Sequence, residues 1–241
     1  REEELRKKIE DELRDLKRKL EDLLRRYEEK LREAEKKLKD LLRRYEERVR
    51  EIKKELSRNS DEEVVKEIIE RLRRSNKELE EMIRELIKIL EEASKELEDL
   101  VREILEAIRR ILKELRDAGA LKEKVERDAK KLLDDLRELL ERILRESRRL
   151  IEELKELLKE VKRRSEELIR TLKEVLDRVK GEDELLRVLE KVIEDNLRIV
   201  EELIRRLEEV LKRHEDLVRT LLDLLKRVLE AVKKLLDEAV T

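Results

Sequence analysis

The chain has 241 residues, with 66 Lys and Arg against 68 Asp and Glu, one His, two Tyr, and no Phe, Trp, Pro or Cys. Balanced, interleaved charge and so few aromatic rings leave neither the electrostatic field nor the stacking platforms that nucleic-acid binders need, and the lack of Cys removes disulfide and thiolate chemistry. Charged residues make up 56% of the chain and apolar ones 38%, and because the apolar residues fall at helical spacing, long helices around a packed core are expected rather than disorder.

Taken from the N-terminus, the apolar positions repeat every eighteen residues. Leu20, Leu23, Leu24, Tyr27 and Leu31 recur as Leu38, Leu41, Leu42, Tyr45 and Val49. Val64, Val65, Ile68, Ile69 and Leu72 recur as Met82, Ile83, Leu86, Ile87 and Leu90; the third and fourth quarters repeat in the same way. Eighteen residues make five whole turns at 3.6 residues per turn. Seven- and eleven-residue repeats drift in opposite senses around a helix, and their sum does not drift. The apolar stripe therefore runs straight up each helix, with no supercoil demanded.

Three short breaks interrupt the pattern. At Ser57-Arg58-Asn59-Ser60-Asp61, Asn59 is expected to end a helix in the left-handed conformation, with Ser60 and Glu63 as a capping box for the next. At Ala118-Gly119-Ala120 the glycine is the helix-ending residue. At Gly181-Glu182-Asp183, Gly181 ends one helix and Asp183 caps the next. The predicted helices are 2–58, 61–118, 120–180 and 183–240, each about 85 Å long at 1.5 Å per residue. Connections this short force sequential helices to lie antiparallel. The expected fold is all-α: a single-domain, up-down-up-down four-helix bundle, long and straight, over residues 1–241. Charge supports it. Residues 1–57 carry 21 basic and 18 acidic groups, net +3, and residues 58–118 carry 14 and 18, net −4. Residues 119–181 carry 19 and 16, net +3, and residues 182–241 carry 12 and 16, net −4. Alternating sign places opposite charges on neighbouring helices.

Polar residues inside the stripe are the candidate site. Reflection about the turns puts Tyr45 level with Ser75, Asn76, Ser165 and Asn196, and Tyr27 level with Ser94, Ser147 and His214. One repeat further the same positions are Ile9, Ile111 with Leu112, Ala129 and Val232, all apolar. All four helices change character together, so two buried hydrogen-bond layers are expected. Their purpose would be register: a buried polar group without a partner costs roughly 1–3 kcal/mol, which penalises shifted pairings that a leucine core alone would tolerate.

Catalytic, cofactor and metal sites are not indicated. His214 is the only His, and the residue three before it is Leu211, so the Glu-x-x-His pattern of bundle di-metal sites is missing. Ser147 can approach His214, but helix-interior amides are already bonded and supply no oxyanion hole. No Gly-rich phosphate loop occurs, no apolar run reaches membrane-spanning length, and no signal-peptide pattern opens the chain.

On these residues the chain resembles computationally designed, parametric helical bundles with buried hydrogen-bond networks. The resemblance covers all 241 residues. It rests on the eighteen-residue repeat, the Asn-Ser-Asp-Glu-Glu turn at 59–63, the Gly-centred turns and the two polar layers. It implies a de novo protein without a natural substrate or cofactor, made as a scaffold or building block, with no natural location and suited to soluble cytoplasmic expression. A monomer that binds neither nucleic acid, membrane nor small-molecule substrate is expected. Natural spectrin-like or apolipoprotein-like chains would normally show Trp, Pro or irregular loops. The other reading is a binding or assembly module. The first helix has 17 apolar residues against 24 in 58–118 and would be displaceable, or Ile89, Ala107, Val188 and Leu224 widen two stripes into an oligomer interface.

Overall fold

A computed structural model describes the backbone of residues 2–240 and the side chains of residues 3–239. It contains α1 (Glu2–Arg58), α2 (Glu62–Asp117), α3 (Glu123–Arg178) and α4 (Glu182–Val240), and no strand among the described residues. Leu, Glu, Lys and Arg are strong helix formers, and neither Gly nor Pro occurs inside any helix apart from the ends. The architecture is the four-helix bundle that the repeat and short breaks imply.

Gly119 ends α2 as expected, while the start of α3 and the other two connections differ from expectation. Gly119 has φ +71°, and its N–H bonds Arg116 O at 3.0 Å while Ala120 N–H bonds Leu115 O at 3.0 Å. That pair of bonds is a Schellman ending, the reason for glycine here. The chain then stays non-helical through Lys122, whose carbonyl accepts the first bond of α3 from Glu126, so α3 begins at Glu123 rather than 120. Asn59 is not left-handed, since no non-glycine residue has positive φ among the described residues. Its Oδ1 instead accepts from Asp61 N–H at 3.1 Å, a local turn that serves the same end. Asp61, not Ser60, is the N-cap of α2, because its carbonyl receives Val65 N–H at 3.0 Å; the Ser60/Glu63 capping box therefore does not form. Gly181 likewise starts α4 rather than ending α3: its carbonyl accepts Leu185 N–H at 2.8 Å, and α3 has already ended at Arg178. Asp183 sits inside the first turn of α4, where its charge favours the helix N-terminus.

The two glycines should respond differently to alanine. Gly119→Ala is expected to cost about 1 kcal/mol from left-handed strain alone, since nothing lies within 4 Å of an added Cβ. Gly181→Ala, where an added Cβ meets only Glu184 Cβ at 3.9 Å, should cost about 0.5 kcal/mol, not from strain but because alanine is a poor N-cap. Denaturant midpoints of the two variants check this.

Packing divides the helices between two compact units. The first comprises the chain up to Lys30, Leu90–Leu150, and the chain from Arg213 onward; the second comprises Leu31–Ile89 and Ile151–Lys212. In the first unit Ile9, Leu20, Ile104, Ile108, Ala129, Leu222 and Leu225 are almost wholly buried. In the second the same holds for Leu38, Ile52, Leu72, Ile83, Leu154, Leu172, Leu189 and Leu207. Each such Leu or Ile side chain contributes about 1.5–3 kcal/mol. Within the first unit Lys8, Lys19 and Lys30 of α1 pair with Glu114, Glu103 and Glu92 of α2. Each step of eleven up one helix is a step of eleven down the other, as antiparallel neighbours require. Arg6 and Arg219 join α1 to α4 through Asp237 and Glu28. In the second unit Lys37 pairs with Glu85, Lys53 with Glu194, and Arg206 with Glu160. These pairs join α1 to α2, α1 to α4 and α3 to α4, so the alternating helix charges meet across neighbours. Exposed pairs of this kind select partners more than they stabilise.

Candidate functional site

Tyr27, Ser94, Ser147 and His214 meet inside the first unit, one from each helix. Tyr27, Ser147 and His214 are buried, and His214 is wholly inaccessible; Ser94 is partly buried. Tyr27 Oη bonds His214 Nδ1, with the two rings tilted at 49° and their centroids 5.6 Å apart. His214 Nε2 lies 2.9 Å from Ser147 Oγ and 3.4 Å from Ser94 Oγ. The two serine oxygens are 2.5 Å apart, and Ser94 Oγ donates to Leu90 O at 2.8 Å.

One assignment of protons satisfies every donor. Ser94 O–H is committed to the Leu90 carbonyl, so Ser147 donates to Ser94. Ser147 then accepts from His214 Nε2–H, and Nδ1 accepts from Tyr27 O–H. The opposite order would leave the tyrosine proton without an acceptor in an apolar core. His214 is thereby fixed as the neutral Nε2–H tautomer. The relay runs α1 to α4 to α3 to α2 and terminates on backbone.

Burial sets the electrostatics. It pushes the His214 pKa down to about 4, because the imidazolium would be charged away from water. It raises the Tyr27 phenol well above its ordinary range, with the Glu215 charge adding to the effect. Glu215 itself is held by Arg219 at 2.8 Å, and the same guanidinium reaches Glu28 at 2.9 Å. The residues following His214 and Tyr27 thus form an ion-pair cluster.

The second unit brings Tyr45, Asn76, Ser165 and Asn196 together, each one repeat from its counterpart. Asn196 Nδ2 donates to Tyr45 Oη, Tyr45 Oη donates to Asn76 Oδ1 at 3.4 Å, and Asn76 Nδ2 donates to Ser165 Oγ at 3.0 Å. Here the order is α4 to α1 to α2 to α3. Tyr45, Asn76 and Asn196 are buried; Ser165 is only partly so. Burial raises the Tyr45 pKa, with the Asn196 hydrogen bond pulling partly the other way.

Ser75 does not join this relay. It is buried, but its Oγ donates to Arg71 O at 3.1 Å and accepts from the Arg48 guanidinium at 2.6 Å. One residue before Asn76, it faces the α1 edge rather than the tyrosine. Arg48, whose other nitrogen pairs with Glu78 at 3.3 Å, was not anticipated. Its position three residues after Tyr45, hence on the same face, is the signal that could have found it. The apolar counterparts Ile9, Ile111, Ala129 and Val232 are buried, and Leu112 is half-buried.

Among the described residues no helix is long and apolar enough to cross a membrane. Nor is any group of three or more His, Cys, Asp or Glu side chains placed to hold a metal ion. No protein-family model matches the chain, and no curated protein matches it.

Proposed function

We propose that the chain is a designed structural scaffold whose two polar layers specify a single helix register. The observation that supports this most is the pairing of the relays: each takes one side chain from every helix, at positions eighteen residues apart, while the next equivalent positions are apolar. An isolated polar residue at one of these positions would be a defect, whereas a relay across all four helices rejects any shifted packing that breaks it. An assembly module is less well supported. Ala107 is buried, Ile89, Val188 and Leu224 are half-buried, and no large apolar side chain is exposed among the described residues.

The test copies the apolar layer into both polar ones. The variant carries Tyr27→Ile, Ser94→Leu, Ser147→Ala and His214→Val, together with Tyr45→Ile, Asn76→Leu, Ser165→Ala and Asn196→Val. Its denaturant midpoint is expected to equal or exceed that of the parent, because closed polar networks are often no more stabilising than apolar packing. Its methyl NMR spectrum should show several packings per residue, or its mass in solution several assembly states. A single spectrum and a single mass, both matching the parent, would remove register control as the purpose of the layers.

A further inference from the structure

In the second unit a groove of about 480 Å³ lies between α2 and α3. Its walls carry Arg73 and Lys77 from α2, and Lys162, Arg170 and Lys173 from α3. The only acids lining it are Glu80 and Glu166. Elsewhere in this unit cations meet acids across helices, as in Lys37–Glu85, Arg48–Glu78, Lys53–Glu194 and Arg206–Glu160. Here α2, acidic as a whole, turns basic: residues 71–77 hold Arg71, Arg73, Arg74 and Lys77 and no acid. The like charge of α3 lies opposite. Arg73 pairs only along its own helix, with Glu70 at 3.0 Å. Among the described residues Lys77, Lys162, Arg170 and Lys173 take part in no ion pair. A cleft lined by five cations and two acids concentrates anions.

A second observation points into the same groove. Seven serine and threonine side chains lie on helices among the described residues: Ser57, Ser75, Ser94, Ser147, Ser165, Thr171 and Thr220. Five of them donate to a carbonyl three or four residues back, and Ser147 donates within its layer. Ser165 alone has no acceptor. It receives Asn76 Nδ2–H at 3.0 Å, lines the groove, and keeps its own proton free.

We propose that this groove binds a condensed phosphate anion, with the Ser165 hydroxyl donating to it from the floor. Length argues for a condensed chain over orthophosphate. Lys162, Arg170 and Lys173 are spread over about 16 Å of α3, so a condensed chain can meet more of these cations at once than one tetrahedral ion. A free anion fits better than a lipid headgroup, because no large apolar side chain among the described residues is exposed to enter a bilayer.

The test is an amide NMR titration of the full chain with sodium tripolyphosphate, with orthophosphate in parallel. Saturable shifts confined to residues near 73–80 and 162–173 are expected, with affinity about tenfold above that for orthophosphate and falling with salt. Lys77→Glu combined with Lys173→Glu, both at exposed positions, should weaken binding about tenfold with circular dichroism unchanged. Ser165→Ala should weaken it by a smaller factor. The proposal is overturned by shifts of equal size at other basic patches such as Arg14, Lys17 and Lys233, by indifference to the charge reversals, or by an unchanged affinity in Ser165→Ala. Sedimentation with vesicles bearing phosphorylated inositol headgroups, without binding of tripolyphosphate, would equally overturn it.

Discussion

Replacing His214 with valine, the residue found one repeat on at Val232, is expected to cost about 4 kcal/mol at neutral pH. Two effects add. Tyr27 O–H and Ser147 Oγ each lose the partner that satisfied them in a site without water access, at roughly 1–3 kcal/mol each. Valine is also smaller than imidazole, so a void remains beside Tyr27. The cost should be strongly non-additive. Completing the layer with Tyr27→Ile, Ser94→Leu and Ser147→Ala removes the stranded groups and rebuilds the packing of Ile9, Leu112, Ala129 and Val232, so most of the lost stability should return. Chemical denaturation of the single and quadruple variants measures both numbers. A single variant within about 1 kcal/mol of the parent would mean that the relay holds nothing together.

The second large effect is with pH. The folded His214 pKa of about 4 lies below the unfolded value of about 6.5. Between those values the unfolded chain binds a proton that the folded chain refuses. Stability therefore rises with pH through this window and is lost as pH falls, by about 3 kcal/mol in total. The many surface carboxylates also titrate in acid, but they are common to parent and variant and cancel in a comparison. The deficit of His214→Val should thus shrink from about 4 kcal/mol at pH 7 to about 1 kcal/mol near pH 4. A deficit that stays constant across this range would show that His214 does not titrate differently in the two states.

Much of this was legible in the sequence because it rests on period alone. The eighteen-residue repeat gives the stripe, the stripe and short breaks give the helix order, and the shared height of Tyr27, Ser94, Ser147 and His214 follows from counting back from the turns. Gly119 was legible because only a residue tolerant of positive φ ends a helix that way. What was not legible depends on choices between nearly equal local solutions. Asn59 can satisfy the backbone through its side chain as well as by turning left-handed, and Gly181 serves as an N-cap as readily as a terminator. Ser75 and Asn76 both lie close to the stripe, and a single step around the helix, about 100°, decides which of them meets Tyr45. The directions of the two relays were not legible either, since they depend on where each proton can end.

The central claim is that polar side chains at the repeat positions form hydrogen-bonded layers inside an apolar core, with the His214 layer closed and dry. With one His in the chain, the direct measurement is a nitrogen-resolved NMR titration of its imidazole. At neutral pH the account predicts a neutral ring with its proton on Nε2, and on acidification a pKa close to 4. A pKa at or above about 6.5, or a proton resident on Nδ1, would contradict it, placing His214 in contact with solvent or carboxylate and leaving Tyr27 without its acceptor.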